Sequence, residues 1–162
     1  MHLSAQAAKT IIFVCFVGPG PVIGLVPWTL SGWQFRVVSA PLQSLGALLV
    51  LLGALPLADS IIRFVREGRG TPAPYAETDR LIVTGFYRHV RNPMYVGVLT
   101  MIFGQALLLW NASILRYALI AALFVHLFVL LYEEPRLRHK YRDAYIACQK
   151  RVNRWLPHFT KA

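Results

Sequence analysis

Four long stretches of this chain carry no charge. Residues 10–35, 37–58, 92–115 and 117–132 hold no Asp, Glu, Lys or Arg, in runs of 26, 22, 24 and 16 residues. A helix needs about 20 mostly apolar residues to cross the hydrocarbon core of a bilayer. Four such runs in 162 residues exclude an ordinary soluble globule, and disorder with it. Only 15% of the chain is charged, where a soluble domain has about 25%. The fold class expected is all-α: a polytopic membrane protein with about four transmembrane helices, near residues 11–30, 41–64, 93–110 and 115–132. The chain reads as one membrane domain over 1–162. Residues 1–65 hold the first two spans, 66–92 a connection, 93–132 a helical hairpin and 133–162 a cytoplasmic helical tail.

The net charge of +10 is informative by position. Of 17 Lys and Arg, only Arg36 and Arg116 fall on one side of these spans; the other fifteen fall on the opposite side. Positive residues collect on the cytoplasmic side of membrane helices. Both termini and the long connection are therefore expected in the cytoplasm, with an inner bacterial membrane as the expected location. Anionic lipid head groups are the expected counter-charge. No interleaving of aromatic and basic residues points to nucleic acid. Cys15 and Cys148 fall on different levels of the molecule, so no disulfide is expected, and no zinc-type spacing occurs. The basic start and apolar first run read as a retained helix and not a cleaved signal.

The first run contains Gly18-Pro19-Gly20-Pro21 and Pro27. Proline removes a donor and displaces the helix. A kinked helix packed on its neighbours is expected, with a bend that opens a cavity as the alternative. Trp28 and Trp33 mark the outer interface. Gly46 and Gly53 in the second run permit close helix contact, and Asp59 is within a turn of Arg63, a structural ion pair at the head-group level, with a catalytic, proton-accepting role for Asp59 as the alternative. In the connection, 69–74 is turn-rich, and Leu81-Ile82-Val83 reads as a short extended piece ending in a turn at Thr84-Gly85. His126 lies in mid-span, either a neutral side chain bonded to a neighbouring helix or a functional group. Phe103, Trp110, Phe124 and Phe128 read as packing.

The hairpin brings its two ends to one membrane surface, and those ends carry the most unusual residues. The first reads Gly85-Phe86-Tyr87-Arg88-His89-Val90-Arg91-Asn92-Pro93-Met94-Tyr95-Val96-Gly97. Pro93 suits a first helical turn, and Asn92 can cap it. A helix N-terminus favours a carboxylate or phosphate. The second end reads Tyr132-Glu133-Glu134-Pro135-Arg136-Leu137, continuing to Lys140-Tyr141-Arg142-Asp143-Ala144-Tyr145. Carboxylates closing an apolar span are costly unless paired. They are either salt-bridged to nearby arginines or hold a cationic ligand. A ligand bearing both an ammonium and a carboxylate matches a Glu beside a helix N-terminus.

These pieces resemble a family of integral membrane methyltransferases, the one that includes isoprenylcysteine carboxyl methyltransferase and the phospholipid N-methyltransferases. That family's R-H-P-x-Y-x-G appears as Arg91-Asn92-Pro93-Met94-Tyr95-Val96-Gly97. A hairpin, the Glu133-Glu134 pair and Tyr141-Arg142-Asp143-Ala144-Tyr145 follow, and the chain closes on Arg151-Val152-Asn153-Arg154-Trp155-Leu156-Pro157. The resemblance covers about residues 69–157. It implies an enzyme using S-adenosyl-L-methionine, held at the cytoplasmic helix ends, with a lipid-like acceptor arriving from the bilayer. It implies cofactor contacts at Asn92, Pro93, Met94, Tyr95 and Glu134, no metal, and Glu133 or His89 as candidates for the proton-accepting group. Three positions depart from the pattern. Asn92 replaces a histidine, Val129 and Leu130 stand where carboxyl methyltransferases carry an arginine, and Tyr141-Arg142 replaces Phe-Gly. The second departure tilts the expected acceptor from a carboxyl toward an amine or hydroxyl. A membrane reductase using NADPH and a non-enzymatic membrane scaffold are the alternatives.

Overall fold

The computed structural model describes residues 12–36, 39–66 and 81–157. Five helices dominate them: α1 (Val14–Ser31), α2 (Ala40–Arg66), α3 (Pro93–Leu108), α4 (Ala112–Phe128) and α5 (Glu134–Arg151). No strand occurs among the described residues. The turn-rich stretch 69–74 lies outside them. A π turn, Val129–Glu133, joins α4 to α5, so Ala112–Arg151 runs as one helix of 40 residues. Three helices are long and apolar enough to cross a membrane: α1, α2 and this joined helix.

The third expected span is shorter than 93–110. Helix α3 is apolar but has 16 residues, about 24 Å at 1.5 Å per residue. The turn chemistry that follows stops it. Trp110 takes a positive φ of 46°, and Asn111 caps α4 by accepting from Ser113 N at 2.8 Å and Ile114 N at 3.2 Å. Residues 81–83 form no regular element and lead into a 3₁₀ turn, Gly85–Arg88.

Helix α1 is irregular for a reason its prolines supply. A π turn at Phe13–Val17 opens it and a second, Pro21–Leu25, lies within it. Pro27 has no N–H for the carbonyls one turn earlier, and an unpaired carbonyl in lipid costs several kcal/mol. Two side chains from other helices supply the missing donors. Gln105 Nε2 donates to Ile23 O at 2.8 Å, and Tyr117 Oη donates to Val22 O at 3.0 Å. The first of the two expectations therefore holds: a kinked helix fastened to its neighbours.

Helices α2 and α3 form the densest contact in the molecule, and glycine makes it possible. A Cβ on Gly97 would lie 2.6 Å from Gly53 O, and one on Gly46 would lie 2.5 Å from Leu108 N. The backbones touch directly at both places. Around this seam lie Leu57, Met94, Val98, Ile102, Ala106, Leu109, Ile114 and Ala118. Phe103 packs against that core, whereas Trp110 and Phe124 are exposed.

The polar half of the joined helix bends sharply. Arg142 has φ 43° and ψ −118°, a region that L-residues avoid and glycine tolerates. The bend brings Gln149 back beside Arg138, whose Nε donates to Gln149 Oε1 at 3.1 Å. This is the position where the resembled pattern carries glycine. Arg142→Gly is expected to stabilise the fold by about 1 kcal/mol, the lower end of the strain such a residue stores. Urea or SDS titration against wild type measures it, and a destabilised Arg142→Gly variant contradicts the strain.

Candidate functional site

The start of α3, the π turn and the residues after α5 meet at one end of the molecule. The chain beyond α5 is the strap that joins them. Val90 and Asn153 form a parallel bridge, and Arg91 N donates to Asn153 O at 2.9 Å. Asn92 Nδ2 donates to Arg154 O at 3.2 Å. Asn92 was expected to cap α3 with its side chain. It makes no such bond: its backbone, at φ −123° and ψ 56°, lies outside the conformation of a capping residue, and its Nδ2 is turned to the strap's carbonyl. Arg154 in turn grips Glu134, with Nε 2.7 Å from Oε1 and Nη2 2.9 Å from Oε2. This is a bidentate charge-assisted pair, the strong form of such contacts. Trp155 then turns the other way, and its Nε1 donates to His126 Nδ1 at 3.1 Å.

Glu134, expected beside the cofactor, is thus buried between two guanidiniums. Its side chain is 4% exposed, with Arg154 on one flank and Arg91 Nη1 3.0 Å from Oε1 on the other. Burial pushes the carboxyl up, but the Arg154 hydrogen bonds and the Arg91 charge outweigh burial and hold it below the ordinary glutamate value of 4.5. The strap's anchorage is accordingly complete above that value and is lost as pH falls through the lowered one. Amide exchange of residues 152–155 is expected to be flat from pH 7 to about 4.5, once corrected for intrinsic rates, and to speed up at lower pH. Acceleration above pH 5 would contradict the clamp.

Glu133 faces a different environment. It lies beside Tyr95 of α3, and its Oε2 is buried with no hydrogen-bond partner among the described residues. Arg91 has the complementary deficit. Its Nη1 is close to Glu134 but off the line of its N–H bonds, and neither Nη1 nor Nε has an aligned acceptor among the described residues. Glu133 Oε2 and Arg91 Nε thus stand, on neighbouring parts of one cluster, with neither a hydrogen bond nor an ion-pair contact among the described residues.

The other expected site residues take varied places. Pro93 is fully buried at the start of α3, and Met94 belongs to the hydrophobic core with Leu57 and Val98. His89 closes the 3₁₀ turn, its N–H donating to Phe86 O at 3.0 Å. The expected ion pair between Asp59 and Arg63 is present, with Nε 2.9 Å from Oδ2. It does more than pair: Phe86 N donates to Asp59 Oδ2 at 3.0 Å, and Arg63 Nη1 donates to Thr84 Oγ1 at 2.7 Å. The end of α2 therefore fastens the turn that precedes α3. Arg91 and Arg154 were not anticipated in the cluster. The signal for Arg91 is its place directly before Asn92-Pro93; a cation for Glu134 was foreseeable, but its position twenty residues on was not.

Helices long and apolar enough to cross a membrane, with a buried ionic cluster at one end, mark the class of protein as a membrane one. Residues 42–144 match the sequence model of the phospholipid methyltransferase family, more than half of the chain. The chain belongs to that family and is a membrane methyltransferase. The match includes most of α2 and ends within α5, so it begins earlier than the resembled stretch and stops short of the strap. Comparison with curated proteins found no match.

Proposed function

We propose that this protein transfers a methyl group from S-adenosyl-L-methionine to a head-group atom of a lipid-like acceptor at the cytoplasmic face of a membrane. The fifteen-to-two distribution of basic residues supports the orientation. The observation that supports the donor assignment is the unmatched pair at the helix ends: Glu133 Oε2 and Arg91 Nε. A buried polar group left unpaired costs about 1–3 kcal/mol, and native proteins rarely leave one without a reason. S-adenosylmethionine has a carboxylate to suit a guanidinium, and an ammonium and ribose hydroxyls to suit a carboxylate oxygen. The residues present fit it.

Arg91 and Glu133 would hold its polar groups. Asn92 and Tyr95 would adjoin it, Pro93 and Met94, packed in the core, would act by fixing the start of α3, and Glu134 would act by keeping Arg91 and the strap in place. When bound, S-adenosylmethionine supplies a methyl group on a sulfonium, already activated for in-line displacement. The chain's own work is to align the acceptor and exclude water. An amine acceptor must also lose its proton before it can attack. Glu133, beside Tyr95, is the group to take that proton, with His89 the second candidate. The family match favours this reading over a reductase or a scaffold.

The test is methyl transfer from radiolabelled S-adenosylmethionine to membrane lipid extract. Label is expected in the organic phase and stable to base, as an N-methyl or O-methyl ether is, where a methyl ester would release methanol. Glu133→Gln is expected to lower kcat by about a hundredfold if it is the proton acceptor. Donor binding without label in any lipid fraction would overturn the lipid acceptor.

A further inference from the structure

An apolar groove of about 350 Å³ lies between α3 and α4, lined by Val96, Leu99, Phe103, Ala122, His126 and Trp155 among others. Its volume is within the ~300–1,000 Å³ of small-ligand sites. Two polar side chains on the helices, Thr100 and His126, interrupt the apolar surface, and the second does so in a defined way. The indole of Trp155 has only a donor, and it is spent on His126 Nδ1 at 3.1 Å. His126 Nδ1 therefore carries no proton, and the neutral ring has its proton on Nε2. Trp155 thus fixes His126 as a donor. Nε2 makes no hydrogen bond among the described residues. A polar donor in an apolar groove suits a ligand with an oxygen acceptor on an apolar body.

The position of His126 narrows that ligand. It lies seven residues before Glu133 on the same helix, about 10 Å deeper at 1.5 Å per residue. The strap ties the two places together: Arg154 grips Glu134 and the next residue, Trp155, holds His126. We infer that the groove takes an acyl chain of the lipid acceptor, and that His126 is a specificity-determining residue that donates from Nε2 to the ester carbonyl at the top of that chain. This rests on the reading above that the acceptor is a lipid reacting beside Glu133. It assigns the histidine a donor role and not that of a base.

The discriminating probe is a pair of lipids with the same ethanolamine head group, one ester-linked and one ether-linked, the second lacking only the carbonyls. Binding of each to the full chain in detergent, without S-adenosylmethionine, is measured by native mass spectrometry. Wild type is expected to bind the ester lipid about three- to tenfold more tightly, the worth of one hydrogen bond. His126→Phe is expected to bind both at the ether level. His126→Gln can accept from Trp155 and still donate, and is expected to keep most of the preference. Equal binding of the two lipids by wild type, or a preference that survives His126→Phe, overturns the inference. An ester preference without methyl transfer to any lipid supports the groove's ligand and defeats the proposed reaction instead.

Discussion

Replacing Glu134 by alanine is expected to destabilise the protein by about 3 kcal/mol and to release the strap. Breaking a buried ion pair costs about 3–5 kcal/mol because the remaining charge is stranded. The lower figure applies because Arg154 is 26% exposed and can turn to water, while Arg91, at 12%, has less freedom. Two consequences follow from the geometry. The bridge of Val90 with Asn153 and the bond from Asn92 to Arg154 O lose their anchor, so amide protection at residues 90–92 and 152–155 falls together. Arg91 also loses its fixed position, so donor affinity drops as well. Glu134→Gln keeps shape and part of the hydrogen bonding and is expected to cost about half as much. Asp143→Ala removes an exposed carboxylate from the same helix and is expected to be neutral. Equal losses from Asp143→Ala and Glu134→Ala would mean that general charge, not the clamp, is responsible.

Gly97→Ala is expected to cost about 2 kcal/mol even though alanine is the better helix former. The propensity gain is about 1 kcal/mol. Against it, the new Cβ would sit 2.6 Å from Gly53 O and 3.0 Å from Leu57 N. Both are backbone atoms, so no side chain can swing aside, and the two helices must separate along a seam that buries most of the core. Overpacking of this kind costs about 1–3 kcal/mol and at times more. Gly24 is the control, since a Cβ there meets nothing within 4 Å; Gly24→Ala is expected to be neutral or slightly stabilising. Thermal or SDS unfolding in detergent reads both. A stabilised Gly97→Ala variant would show that the seam is looser than described.

The helical architecture was legible because its causes are local. Uncharged runs, Gly46 and Gly53 at a seven-residue interval, and the Asp59–Arg63 pair one turn apart all act within a single helix or between sequence neighbours. What escaped was decided by distant partners. Nothing near Asn92 announces that a carbonyl sixty-two residues on will claim its amide. Nothing near Pro27 announces that Gln105 and Tyr117 will repair its missing donor. The shortness of α3 came from turn geometry at Trp110 and Asn111, which hydropathy does not sense. The sharp bend in α5 is a third case. Tyr141-Arg142 marked a departure from the family's pattern, yet that the arginine there adopts a glycine-like backbone is visible only in three dimensions.

The proposal that the ionic cluster is a donor site meets its most direct test in calorimetry of S-adenosylmethionine binding to detergent-purified protein. Saturable binding is expected in wild type. Arg91→Ala is expected to weaken it by roughly tenfold to a hundredfold, the worth of one charge-assisted hydrogen bond of about 1.5–3 kcal/mol, while Arg116→Ala, at the far end of the molecule, leaves it unchanged. Absence of binding in wild type, or equal weakening by Arg91→Ala and Arg116→Ala, would contradict the assignment of this cluster to the methyl donor.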